Sequence, residues 1–157
     1  MPANTQPIFP NVPHVGKVKI PTTNAQVKSD GTSAGTTTDQ MYCVFAGTTN
    51  GSIVQRVRFN TVANTSTTGV ATVLKVFYST VSVTEGNGGV ATTTSDTFLL
   101  AEISVPAITS GNTTSATNYY EIPLNIAIPA AGRIMVSQSV AQTANQQWGA
   151  TAFGGDY

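Results

Sequence analysis

Residues 52–61 read Ser-Ile-Val-Gln-Arg-Val-Arg-Phe-Asn-Thr. Apolar and polar positions alternate through this stretch, which is the period of a half-buried strand and not of a helix. The alternation predicts one face formed by Ile53, Gln55, Val57 and Phe59, and an opposite face carrying Arg56 and Arg58. Just upstream, Gly47-Thr48-Thr49-Asn50-Gly51 closes on Asn-Gly, a pair that tolerates the left-handed backbone of a tight turn. The run Met41-Tyr42-Cys43-Val44-Phe45-Ala46 before that turn reads as a buried strand.

The same reading extends in both directions. Strands are expected over residues 15–20, 41–46, 52–61, 71–80, 97–105, 119–128, 133–140 and 147–153, about eight in all. Residues 71–80 place Leu74, Val76 and Tyr78 against Val73, Lys75 and Phe77, so both faces are partly apolar and the strand should be covered on both sides. In residues 119–128, Tyr120, Ile122, Leu124, Ile126 and Ile128 face inward, and the outward Pro123 marks an edge strand or a bulge. Residues 133–140 should place Ile134, Val136 and Val140 on one face. The connecting segments 21–39, 81–95 and 106–118 are rich in Thr, Ser, Gly and Asn and read as loops.

Short alternating segments with regular turns and no helical period predict an all-β fold. The expected form is an antiparallel β-sandwich, jelly-roll-like, over residues 15–157. Residues 1–14 carry prolines at positions 2, 7, 10 and 13, which favours an extended N-terminal arm. Ile8, Phe9 and Val12 make that arm sticky and candidate contact residues.

Charge narrows the function. The 157-residue chain has seven Lys+Arg, seven Asp+Glu and only 9% charged residues, against roughly 25% in an ordinary domain. Capture of nucleic acid or a membrane surface by electrostatics is not expected, because neutralising phosphates takes clustered cations. Thr supplies about a sixth of the chain, while the residues of exposed helices are scarce. No leader segment or long apolar run is read, so the protein is expected to be made in the cytoplasm of its producer.

The chain offers little to catalysis. Cys43 is the single cysteine, which excludes an intrachain disulfide, and it reads as an inert core thiol. The one histidine, His14, lies in the Pro-rich segment. The acids carry no paired motif, and Asp30-Gly31 lacks the ligand spacing of a calcium loop. No catalytic residue, cofactor or metal is therefore expected. Arg56 and Arg58, with Lys75 as a neighbour, read as a solvated face or an inter-subunit ion-pair patch. Tyr119 and Tyr120, with Trp148, are the aromatics that could stack on a sugar, although Trp148 reads first as a core residue.

The ends of the chain carry a resemblance. Residues 1–10, Met-Pro-Ala-Asn-Thr-Gln-Pro-Ile-Phe-Pro, and residues 148–157, Trp-Gly-Ala-Thr-Ala-Phe-Gly-Gly-Asp-Tyr, make up about an eighth of it. They resemble the two ends of a family of small virion proteins encoded beside the head genes of tailed bacteriophages and prophages. The resemblance implies a virion component of the capsid decoration (cement) kind. Its partners would be the major capsid protein and copies of itself, as a homotrimer or another symmetric cluster. It also implies that Trp148, Phe153 and Tyr157 in the tail join Ile8, Phe9 and Val12 as contact residues. Two other classes fit the same chain. One is a head-fibre or tail adhesin binding host glycans through loops 81–95 and 106–118, and the other is a tail or connector ring subunit.

Overall fold

The computed structural model of the chain describes residues 10–32, 38–63, 68–91, 93, 95–109 and 119–157. Nine strands are assigned: β1 (Val12–Ile20), β2 (Met41–Ala46), β3 (Ser52–Ala63), β4 (Thr72–Ser79), β5 (Gly88–Gly89), β6 (Thr97–Val105), β7 (Tyr119–Ile128), β8 (Arg133–Gln138) and β9 (Gln146–Asp156). No helix occurs among the described residues. The strands form two antiparallel sheets, one ordered β1-β9-β3-β7 and the other β5-β2-β8-β4-β6. Apart from the two-residue β5, each strand passes to the opposite sheet from the one before it, except that β6 pairs beside β4. That alternation makes the antiparallel sandwich a jelly roll.

The four-stranded sheet buries one face. Val18 and Ile20 of β1, Trp148, Ala150 and Ala152 of β9, and Val54, Val57 and Phe59 of β3 enter the core between the sheets. From the other sheet, Val44, Leu74, Val76, Ile134 and Val136 meet them. Here the expected parity of β3 changes. Val54 is inward and Gln55 is exposed, because the register shifts between Val54 and Arg56 against both neighbours. Against β9 this β-bulge places one extra residue in β3 and flips the face of everything before it, while against β7 the two residues Leu124 and Asn125 stand opposite Gln55. Ile53 and Gln55 therefore do not share the inner face with Val57 and Phe59, while Arg56 and Arg58 do lie together on the outer one. β7 pairs only with β3, so Pro123 sits in an edge strand, two residues before Asn125 with its φ of 51°.

The five-stranded sheet is apolar on both faces. Its outer side holds a second core of Met41, Cys43, Phe77 and Met135, covered by Val81, Val83 and Ala91. The segment between β4 and β6 is thus a packed cover, and β5 within it pairs with Met41 and Tyr42. The other half of this outer side is covered by the connection between β1 and β2. Asn24 Nδ2 donates to the Thr38 and Gln40 carbonyls at 2.9 and 2.7 Å, and Gln26 Nε2 donates to the Asp39 carbonyl. Lys75 donates from Nζ to the Val27 carbonyl at 2.8 Å and is 4% exposed. It is therefore not a neighbour of Arg56 and Arg58, which belong to the other sheet. β8 ends at Gln138, leaving Val140 outside the strand and exposed.

The first and last described strands meet. β1 and β9 pair from Val12–Asp156 through Ile20–Trp148, and Asn11 N donates to the Asp156 carbonyl at 2.7 Å. Residues 12–14 of the Pro-rich segment are thus strand, and β9 runs on through the glycines to Asp156.

Candidate functional site

The outward face of the four-stranded sheet is fixed by register. Val15, Phe153, Arg56 and Pro123 align across β1, β9, β3 and β7; the next row is Lys17, Thr151, Arg58 and Glu121; the next is Lys19, Gly149, Asn60 and Tyr119. Rows in a sheet repeat about every 7 Å along the strand and strands about every 4.8 Å across it, so these side chains meet. Arg58 donates from Nε and Nη2 to Glu121 Oε2 at 3.0 and 2.9 Å. Arg56 Nε lies 3.5 Å from the same oxygen, close enough for ion pairing but without a hydrogen bond. The Arg56 guanidinium lies 4.7 Å from the Phe153 ring centroid, and that of Arg58 lies 5.0 Å from Tyr119 and 5.5 Å from Phe153. Two guanidinium groups, two aromatic rings and one shared carboxylate therefore form a ridge. Arg and aromatic side chains are the types enriched where proteins bind one another.

Beside the ridge the surface falls into a groove of about 460 Å³, lined by Lys17, Lys19, Asn60, Val62, Gly149 and Thr151, with Gly86 at one side. Together, ridge and groove hold four of the chain's seven cations, Lys17, Lys19, Arg56 and Arg58, and one of its seven acids, Glu121. A chain with zero net charge thus carries a local excess of three positive charges on one face. Period-2 alternation already places Lys17 and Lys19 on one side of their strand. Only the β1–β9–β3 register shows that this side adjoins the arginines.

The contact candidates divide by position. Ile8 and Phe9 lie outside the described residues. Val12 is exposed at the start of β1, and Tyr157 follows Asp156 at the same end of the β1–β9 pair, its N–H donating to the Gly51 carbonyl at 3.2 Å. Phe153, Arg56 and Arg58 form the ridge. Trp148 is a core residue at 3% exposure, 5.8 Å from the half-buried Tyr120 ring. Its surface is spent between the sheets because its position in β9 aligns with Ile20 and Thr61 on the inward side. Tyr119 is 63% exposed on the outer face, so alternation sends Tyr119 and Tyr120 to opposite sides of β7 and they cannot clasp one sugar ring.

A second cluster closes the end of the sandwich. His14 Nδ1 lies 3.0 Å from Asp156 Oδ1 and Nε2 lies 3.1 Å from Glu85 Oε2, with the ring 4.0 Å from that of Phe45. Ser52 Oγ donates to Asp156 Oδ1 at 2.6 Å. The hydroxyl therefore spends its proton on the carboxylate and is not activated by the imidazole, as nucleophilic catalysis would require. The cluster works as a clasp joining β1, β3, β9 and the β4–β6 connection. Burial pushes the Cys43 thiol up to about 11, which keeps it protonated and unreactive at neutral pH. Among the described residues, no group of three or more His, Cys, Asp or Glu could hold a metal ion.

No protein-family model matches the chain, and no curated protein or solved structure matches it at a significant level.

Proposed function

We propose that the protein is a non-enzymatic virion structural component of a tailed bacteriophage, of the capsid-decoration (cement) kind. On this reading it binds the head shell and associates with its own copies in a symmetric cluster, most simply a trimer. The observation that carries the reading is that Pro10, the last residue of the N-terminal stretch bearing the family resemblance, lies beside the C-terminal stretch that bears it too. A Cβ on Gly155 would come 2.6 Å from Pro10 Cβ, and the Asn11 N–H donates to the Asp156 carbonyl, so positions about 145 residues apart in the chain are neighbours. The Arg–aromatic ridge runs from Phe153 of the last strand, β9, across β3 to β7, which adds a surface of interface composition beside that contact. A sandwich with only 9% charged residues suits a part that works by fitting against other surfaces. An arm rich in proline loses less conformational freedom on docking than an ordinary tail.

The test removes residues 2–9, which leaves every described strand intact. Co-sedimentation with phage heads assembled from the same genome, together with native mass spectrometry, reads the outcome. The expected result is lost head binding with an unchanged melting temperature. A full-length protein that stays monomeric and ignores intact heads overturns the proposal. Glycan-array binding would move it to the adhesin class, and ring-shaped assemblies to the connector class.

A further inference from the structure

We infer that the groove between Lys17, Lys19 and Asn60 is a binding site for an extended, carboxylate-rich segment of a partner protein. Lysines on the edge strand β1 have an ordinary use, which is to discourage unwanted strand pairing. That use explains neither the groove nor its floor. Gly149 sits at the bottom with a backbone that any residue could adopt, since it is not among the positive-φ glycines. What its missing side chain provides is space: a Cβ there would project to 3.1 Å from Val62 Cγ2, into the groove. Donors surround that space, namely the Lys17 and Lys19 ammonium groups, the Asn60 amide and the Thr151 hydroxyl.

The electrostatics choose the ligand. Arg58 is engaged by Glu121, but neither Lys17 nor Lys19 has an acidic partner among the described residues. The face therefore keeps uncompensated positive charge beside a site whose volume lies within the range of small-ligand and short-peptide sites. Carboxylates accept from ammonium, amide and hydroxyl donors alike. A nucleic acid is the weaker fit, because a polyphosphate needs a longer track of cations and a base-stacking platform, and no aromatic side chain lines the groove. The inference goes beyond the virion reading and stands or falls separately from it.

Isothermal titration of the full-length protein with a short oligoglutamate peptide tests it, with duplex DNA and heparin titrated in parallel. The expected result is saturable peptide binding that weakens between low and physiological ionic strength. The double substitution Lys17→Gln and Lys19→Gln should reduce affinity about five- to tenfold. Gly149→Val should reduce it with no change of charge, and Gly149→Ser serves instead if the valine variant melts early. Absent peptide binding, or binding unchanged in both the lysine and the glycine variants, overturns the inference. Tighter binding of DNA or heparin than of the peptide also overturns it and assigns the groove to phosphate or sulfate.

Discussion

His14 and Asp156, 142 positions apart, meet at 3.0 Å where the start of β1 pairs with the end of β9. Asp156 accepts from His14 and from Ser52 at once, and Ser52 is fully buried. Replacing Asp156 with Ala should therefore leave the buried Ser52 hydroxyl only the long 3.4 Å contact to Thr48 Oγ1 as an outlet for its proton, and cost about 1–3 kcal/mol. Urea unfolding measures the loss, and hydrogen exchange at the Asn11 amide should accelerate with it. A variant as stable as the parent would show that the clasp contributes nothing.

Cys43 makes stability fall at alkaline pH. Its pKa rises from 9.0 to about 11 on folding because burial disfavours the thiolate. The unfolded chain therefore releases this proton first, and the contribution is complete below about pH 9 and lost as pH rises through about 11. The loss amounts to roughly 2–3 kcal/mol. Burial shifts Tyr42 upward as well and Lys75 downward, so the comparison must be made within a pair of variants. The Cys43→Ala protein should show a flatter decline than the parent between pH 9 and 11 in thermal melts, and parallel curves would refute the assignment.

Lys75 pins the β1–β2 connection onto the outside of the five-stranded sheet. Its ammonium bonds the Val27 carbonyl, and desolvation holds its pKa below the usual lysine range. Lys75→Met retains the aliphatic packing and removes the donor, leaving acceptors unmet at a cost of about 1–2 kcal/mol. The effect should be local: limited proteolysis should cut between residues 21 and 32 sooner than in the parent. Unchanged cleavage would mean that Asn24 and Gln26 hold the connection without help.

Gly16 and Gly86 should respond differently to the same substitution. A Cβ at Gly16 would overlap the Val44 carbonyl oxygen, where the edges of the two sheets approach, and backbone cannot step aside as a side chain can. Gly16→Ala should cost about 3 kcal/mol. Gly86 has open space around it but a φ of +87°, so Gly86→Ala pays only backbone strain of about 1 kcal/mol. Chemical denaturation of both variants ranks them, and the reverse order would refute the close approach.

Eight of the strands are legible from turn signals with either alternation, which burying one face of a sheet imposes, or the continuous apolar run of a strand covered on both faces, as in Met41–Ala46. β5 is not, since Gly88 and Gly89 have no side chains to pattern and pair only because the β4–β6 connection is laid beside Met41 and Tyr42. The bulge at Gln55 is equally silent: an extra residue leaves Ile53 apolar and outward, which no alternation rule anticipates. Of the surface, the alternation shows that Arg56 and Arg58 share a side, as do Lys17 and Lys19. That these two pairs share one face depends on β9 lying between β1 and β3.

The chain by itself determined the all-β class, the strand positions and the low, balanced charge, because these follow from local alternation and composition. The tertiary structure alone decided which strands became neighbours, and with them the clasp at His14, the ridge at Phe153 and the groove over Gly149. The physical reason is that antiparallel pairing joins residues by register across the sheet, at separations of up to 144 positions between Val12 and Asp156, and no local pattern encodes a partner that far along the chain.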